Sequence, residues 1–312
     1  MSLACGIDVG GTKIAGGVVD ENGTILEELR GESPATDASA IEDAIEKLVS
    51  ELRTRHPIEA VGVGAAGYID KARAVVLFAP NLAWRDLDLK ADLERTLSLP
   101  VVVENDANAA AWGEFQFGAG HDVDDLLLVT VGTGVGGGVV LDGALYRGAF
   151  GVGAEIGHMR VVPDGILCGC GNRGCFEMYA SGSALVREVR ATARASLLAA
   201  SLVDRAGGDP DAITGPLVTE AARDGDMFAI EQLASVGRWL GEGIASLAAV
   251  LDPAVVVIGG GVSAADELLL GPARAAFAAH LTGRGYRPTL EIRRARLGNR
   301  AGLIGAADLT RH

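Results

Sequence analysis

Short apolar runs that each end in glycine set the rhythm of this chain. Residues 3–9, Leu-Ala-Cys-Gly-Ile-Asp-Val, predict a strand. Gly10-Gly11-Thr12 turns it, and Lys13–Val19 reads as the antiparallel partner. Glu21-Asn22-Gly23 turns the chain again toward a third strand at 24–30. From 39 to 52 the pattern changes: Ile41, Ala44, Ile45, Leu48, Val49 and Leu52 recur at helical spacing, with Ser39 and Glu42 as a capping box. Segments 60–66 and 100–104 predict buried strands, and a helix follows over 106–117.

The second half restarts the same way. Segment 125–131 predicts a strand, a glycine-rich turn follows, and Val135–Leu141 predicts its partner. An offset of 121 residues lays Gly11-Thr12 on Gly132-Thr133 and Gly16-Gly17-Val18-Val19 on Gly137-Gly138-Val139-Val140. This reads as an internal repeat of a strand–glycine turn–strand unit, set against chance likeness of two Gly/Val-rich hairpins. Beyond it, a long helix is predicted over 226–251 and an apolar strand over 254–258. Gly259, Gly260 and Gly261 then lead into a helix capped by Ser263 with Asp266. A late strand at 291–295 and a closing helix at 299–309 complete an α/β pattern.

Composition narrows the function classes. The chain has 312 residues, enough for one large or two ordinary domains, and a net charge of −14. Such a surface repels nucleic-acid backbones and anionic lipid, so neither is an expected partner. The longest uncharged stretch, 126–141, has 16 residues and five glycines, too short and too broken to span a bilayer. Residues 1–6 lack the pattern of a signal peptide, so a cytoplasmic location is expected. Glycine is the anomaly: 44 residues, clustered at 10–11, 16–17, 132–138 and 259–261. Clustering against apolar runs points to backbone approached closely by a ligand, or to very tight turns.

Four motifs carry chemistry. Asp8-Val9-Gly10-Gly11-Thr12-Lys13 places a carboxylate at a strand end before amides that no side chain blocks, which suits phosphate oxygens. Asp8 could hold Mg²⁺ through water; a tight hairpin with a solvated Asp is the other reading. Gly132-Thr133-Gly134-Val135-Gly136-Gly137 matches G-x-G-x-x-G, but a strand follows it where a dinucleotide site needs a helix, and no P-loop is present. Asp106, in Glu104-Asn105-Asp106-Ala107-Asn108, is either a helix N-cap or a catalytic carboxylate at a strand–helix junction. His158 with Cys168, Cys170 and Cys175 has the spacing H-x9-C-x-C-x4-C. Three thiolates and an imidazole make a closed tetrahedral Zn²⁺ site, therefore structural; the alternative is three unligated thiols. Glu155 and Glu177 bracket the cluster, as acceptors for a polyhydroxylated ligand or as surface acids.

Taken together and in order, these motifs with Glu155-Ile156-Gly157-His158 and Gly259-Gly260-Gly261 resemble the ROK family of bacterial sugar kinases and repressors, within the actin/hexokinase/Hsp70 superfamily. The resemblance covers nearly the whole chain. It implies two actin-like ATPase (ribonuclease H-like) domains around a central cleft. The limits read as 1–118 plus 299–312 for a small domain and 119–298 for a large one with the zinc-binding loop. Its implied activity is transfer of the γ-phosphoryl group of ATP to the C6 hydroxyl of glucose. Another hexose or amino sugar (N-acetylmannosamine, N-acetylglucosamine, fructose) and polyphosphate as donor are variants.

The resemblance also assigns roles. Asp106 becomes the general base. Gly67, Asn81, Asn105, Glu155, His158 and Glu177 contact the sugar. Asp8, Gly10, Gly11, Thr12 and Lys13 from the first hairpin, with Thr133 and Gly134 from the second, enclose Mg²⁺–ATP, and Gly259, Gly260 and Gly261 lie under adenosine. His158 serves zinc with one ring nitrogen and the sugar with the other. The offset places Val129 opposite Asp8, so one half alone supplies a carboxylate to the metal. Family members assemble as dimers or tetramers, so a homo-oligomer is expected. Repressor relatives carry a helix-turn-helix extension; here the first strand begins at Leu3, and the repressor reading is disfavoured.

Overall fold

A computed structural model describes residues 2–312; Met1, the first residue of the predicted small domain, lies outside them. Two five-stranded sheets share one topology. The first has the order β3-β2-β1-β4-β8, from β1 (Leu3–Val9), β2 (Lys13–Val19), β3 (Ile25–Glu32), β4 (Ile58–Ala65) and β8 (Val101–Asn105). β1 pairs antiparallel with β2 and parallel with β4. The second has the order β11-β10-β9-β12-β13, from β9 (Leu126–Val131), β10 (Val135–Leu141), β11 (Ala144–Tyr146), β12 (Val255–Gly259) and β13 (Glu291–Arg294). In each, a hairpin sits beside a strand supplied from further along the chain, so the repeat found at offset 121 is a repeat of whole sheets. A small sheet of β5 (Tyr68–Ile69), β6 (Val76–Phe78) and β7 (Arg85–Leu87), absent from the sequence reading, interrupts the first half. Its strands have two or three residues, too few for any periodicity to register.

Among the described residues ten α-helices complete the fold: α1 (Ala38–Arg53), α2 (Leu89–Leu97), α3 (Asp106–Phe117), α4 (Glu177–Ala180), α5 (Gly182–Ala195), α6 (Ala200–Arg205), α7 (Gly215–Arg223), α8 (Met227–Leu251), α9 (Glu267–His280) and α10 (Ala301–Asp308). On α1 the buried set is Ile41, Ile45, Leu48, Val49 and Leu52, the predicted stripe. The predicted capping box does not form. Asp37 caps α1, accepting from the Ala40 amide, while the Ser39 hydroxyl donates to Asp37. Asp precedes Ser in the chain and its carboxylate is the stronger acceptor, so it takes the helix end. Likewise Ser263 caps no helix: 261–265 is a 3₁₀ turn, and the Ser263 hydroxyl donates to the Gly260 carbonyl, while Asp266 stands at the N-cap position of α9 without a capping bond from its side chain.

The chain divides into two compact units: residues 2–128, 137–154 and 296–312, and residues 129–136 with 155–295. The core of the first lies between its sheet and helices α1 and α2, around Ile7, Ile14, Ile45, Val63 and Leu93. On the other sheet face Leu303, Ile304 and Ala307 of α10 pack against Ala4 and Val19. That face is glycine-lined because α10 runs close: a Cβ on Gly62 would lie 1.8 Å from the Ala306 carbonyl oxygen. In the second unit α8 and α9 pack through Gly237 and Gly241, where a Cβ would fall within 2.5 Å of α9 backbone. Among the described residues no helix is long and apolar enough to cross a membrane.

Candidate active site

In the first unit the chemistry collects at the ends of β1 and β8. Asp8 pairs in register with Ala15 of β2 and Gly64 of β4. Burial, and then the charge of Asp106, push its carboxyl up to about 6. Beyond it, Gly10 donates to the Lys13 carbonyl at 3.0 Å, closing the predicted turn. A Cβ on Gly11 would stand 3.5 Å from Asn81, so the loop carrying that predicted sugar contact lies against this turn.

The β8–α3 junction resolves the two readings of Asp106. Asn105 is the N-cap of α3, its side-chain oxygen accepting from the Asn108 amide at 3.0 Å. Asp106 is the first helical residue, and burial raises its carboxyl above the usual range despite a bond from the Ala107 amide. Asn105 also donates from Nδ2 to the Gly67 carbonyl at 3.1 Å, tying two predicted sugar contacts together. Gly67 itself has no room for a side chain, since a Cβ would lie 2.5 Å from the Phe78 carbonyl oxygen. The sequence reading missed Gly302 of α10. A Cβ there would stand 3.9 Å from the Asp8 carboxyl and 3.8 Å from the Asp106 carbonyl oxygen, so the closing helix presents a bare backbone to the Asp8 acid and to the main chain at Asp106.

The second unit holds the remaining predicted residues. Gly132 donates to the Gly134 carbonyl and accepts from Gly182, the first residue of α5. Gly260, at φ +80, passes so near β9 that a Cβ would lie 2.5 Å from the Val131 carbonyl oxygen. Between this turn and α5 and α7 lies a cavity of about 900 Å³, lined by Thr133, Val186, Arg190, Pro216, Thr219 and Gly261 among others. Its volume suits a nucleoside. Of the residues assigned to adenosine only Gly261 lines it; Gly259 ends β12 and Gly260 makes the turn. The α5 and α7 walls carry no motif, and an amphipathic helix lining a ligand reads in sequence like one lining a core.

The His/Cys cluster is assembled. One ligand atom from each of His158, Cys168, Cys170 and Cys175 lies within 4.8 Å of the others. Cys170 and Cys175 sulfurs are 3.6 Å apart, and Cys168 Sγ is 3.7 Å from His158 Nδ1. A tetrahedron with Zn–S bonds of about 2.3 Å has edges of about 3.8 Å, close to these two distances, so three thiols and an imidazole gathered within 4.8 Å are a donor set that can hold a zinc ion. His158 faces the cluster through Nδ1, which leaves Nε2 for another partner. It ends a 3₁₀ turn (Ile156–His158) that follows Glu155, and Gly157 within that turn leaves no space for a Cβ, 2.0 Å from the Val135 carbonyl oxygen.

Glu177, at the start of α4, accepts from the Cys168 thiol at 3.0 Å through Oε1. Its Oε2 lies 2.5 Å from where a Gly134 Cβ would be. The carboxylate therefore sits between the cysteine cluster and the second glycine turn, a linkage the sequence spacing did not reveal.

Comparison with known proteins places this geometry. The ROK family model matches residues 4–312. Glucokinase from Streptomyces coelicolor is 49% identical, covering 100% of this chain and 98% of the relative. A ROK family glucokinase from Streptomyces griseus, solved in complex with glucose and AMPPNP, superposes with a TM-score of 0.91 at 52% identity, covering 99% of each chain. The xylose repressor of Bacillus subtilis is 30% identical over 97% of this chain and 76% of its own length. The two matching sheets are thus those of a two-domain, actin-like protein, and the chain belongs to the ROK family.

Proposed function

We propose that this protein is an ATP-dependent glucokinase, transferring the γ-phosphoryl group of ATP to the C6 hydroxyl of glucose. The observation that carries this reading is the full-length likeness to a kinase seen with glucose and an ATP analogue, joined to 49% identity with a second glucokinase. Asp106 accepts the C6 hydroxyl proton. Its raised pKa makes it a better base than an ordinary carboxylate, and in a loose transfer the proton leaves late. Asn105, Gly67, Asn81, Glu155, His158 and Glu177 hold the sugar hydroxyls. The turns at Gly10, Gly11, Thr12 and Lys13 and at Thr133 and Gly134 offer backbone amides to the phosphates, and the cavity beside Gly261 takes the adenosine. Asp8 is the carboxylate for Mg²⁺, which when bound neutralises phosphate charge. The cysteines and His158 Nδ1 hold zinc, which fixes the histidine ring so that Nε2 can face the sugar.

By analogy with its family we propose that the enzyme works in the cytoplasm as a homo-oligomer, and its net charge of −14 argues against a nucleic-acid partner. Coupled ADP release tests the function across a panel of hexoses and amino sugars, with ATP and polyphosphate as donors. Glucose with ATP should give the highest kcat/KM. A preference for an amino sugar would move the substrate within the family, and no phosphate ester from any monosaccharide would overturn the reading.

A further inference from the structure

Glu104, immediately before Asn105 and Asp106, has no role in the reading above, yet it is the more deeply buried acid, 1% exposed. A charge so placed needs partners, and each of its oxygens has them. Oε1 accepts from the Asn105 backbone amide and from Asn108 Nδ2, both at 3.0 Å. Oε2 accepts from Arg147 Nε at 2.5 Å. Arg73 is the other cation near the pair, but its guanidinium donates to the Leu309 and His312 carbonyls. Arg147 is therefore the partner that balances Glu104.

One end of this ion pair adjoins predicted site residues, and the other opens a segment that leads to one in the chain. At one end, the two nitrogens that Glu104 holds belong to the first turn of α3, where Asn105 caps and Asp106 begins the helix. At the other, Arg147 opens the segment that leads to Glu155. Its carbonyl accepts from the Gly153 amide at 3.0 Å, and Gly151 in the same segment is pressed onto the backbone of Ile69 and Asp70. No hydrogen bond joins Arg147 to Asp106, so any effect on the reaction passes through the junction.

We propose that Glu104 and Arg147 are positioning residues for phosphoryl transfer. Their ion pair fixes the β8–α3 junction so that the Asp106 carboxylate is aimed. This rests on the assignment of Asp106 as base. Chemistry that depends on aim is sensitive to small displacements, whereas binding through several hydrogen bonds is not. A glutamine at 104 could serve the two nitrogens or the arginine, not both, because its amide has one acceptor oxygen.

The test uses the full-length enzyme with Glu104→Gln, Arg147→Met, Arg147→Lys and the double variant E104Q/R147M. Initial rates are measured with glucose and ATP, glucose binding is followed by fluorescence, and Tm is recorded. Arg147→Met should lose kcat by about 30- to 100-fold while both KM values and the glucose Kd stay within about threefold. Arg147→Lys, which keeps the charge and one donor, should recover at least a third of that loss on a logarithmic scale. The double variant should cost no more than the worse single one, because the two residues act as one unit. Arg147 is partly exposed, so its variants are expected to fold where Glu104→Gln does not. A loss of kcat that merely follows a fall in Tm, a rise in KM at unchanged kcat, or no rescue by lysine would overturn the proposal. A wild-type enzyme that phosphorylates no sugar would instead overturn the functional reading, so the two failures are distinct.

Discussion

Asn105 caps α3 through the Asn108 amide, 3.0 Å away, so the residue that sequence alone offered as a possible cap, Asp106, is released from that duty. The carboxylate accepts locally from the Ala107 amide. Asp106→Asn should therefore leave the helix and the fold intact. It should lower kcat by about 10²–10⁴-fold, the usual range for a lost general base, with glucose affinity preserved. Steady-state rates and a glucose-binding titration on the same sample check this, and near-normal kcat would remove Asp106 from the chemistry.

How far the sequence carried this site depends on whether a residue advertises its own chemistry. The cysteine spacing and the two glycine hairpins did, because thiol ligands and Cβ-free turns are constrained residue by residue. The 121-residue repeat showed a duplicated strand–glycine turn–strand unit, and the shared strand order extends that likeness to whole sheets. The cap on α3 was undecidable, because Asn105 and Asp106 are both good caps and only backbone angles choose between them. Gly302 was invisible: its meaning lies in its distance to Asp8 and Asp106, far away in the chain. The cavity walls on α5 and α7 were missed for the same reason, since Val186, Arg190 and Thr219 become a pocket only once the helices are placed.

Asp8 gives a pH-dependent prediction. Its carboxyl is raised from 3.8 to about 6, so between those values the native protein binds more protons than the unfolded chain. Stability must then fall as pH rises through that window, with the full cost present above about pH 6. Two units correspond to at most about 3 kcal/mol. Without nucleotide and magnesium, Asp8→Asn should raise Tm at pH 7.5 and leave it nearly unchanged at pH 4, while raising the KM for Mg–ATP. Thermal melts at the two pH values decide it; equal Tm differences at both would contradict the assignment.

The two adjacent glycines at the end of β12 should respond in opposite ways. At Gly260 a side chain would need φ +80 and would overlap the Val131 carbonyl, so Gly260→Ala should cost several kcal/mol and yield little folded protein. Gly261 faces open space in the cavity. Gly261→Val should fold with near-normal Tm and raise the KM for ATP by about tenfold, since filling part of a preformed pocket costs about 1–2 kcal/mol of affinity. The KM for glucose should not move. An equal rise in both KM values would show that the cavity is not the nucleotide pocket.

The cysteine cluster yields the most direct chemical test. Four donors within 4.8 Å of one another can close around one cation, which would draw the thiols into their thiolate form. Elemental analysis of protein purified without added metal should find one zinc per chain. Cys170→Ser removes the one exposed ligand without disturbing the core, so the protein should still be made, with zinc content falling well below one. Structural zinc contributes folding free energy directly. Losing about 3–5 kcal/mol in a chain of this size lowers Tm by about 10 °C. The sugar site should loosen with it, because His158 is held at the cluster through Nδ1. The KM for glucose should rise more than the KM for ATP. A Cys170→Ser protein with full zinc content, or a zinc-free enzyme with unchanged glucose affinity, would separate the metal from the substrate site.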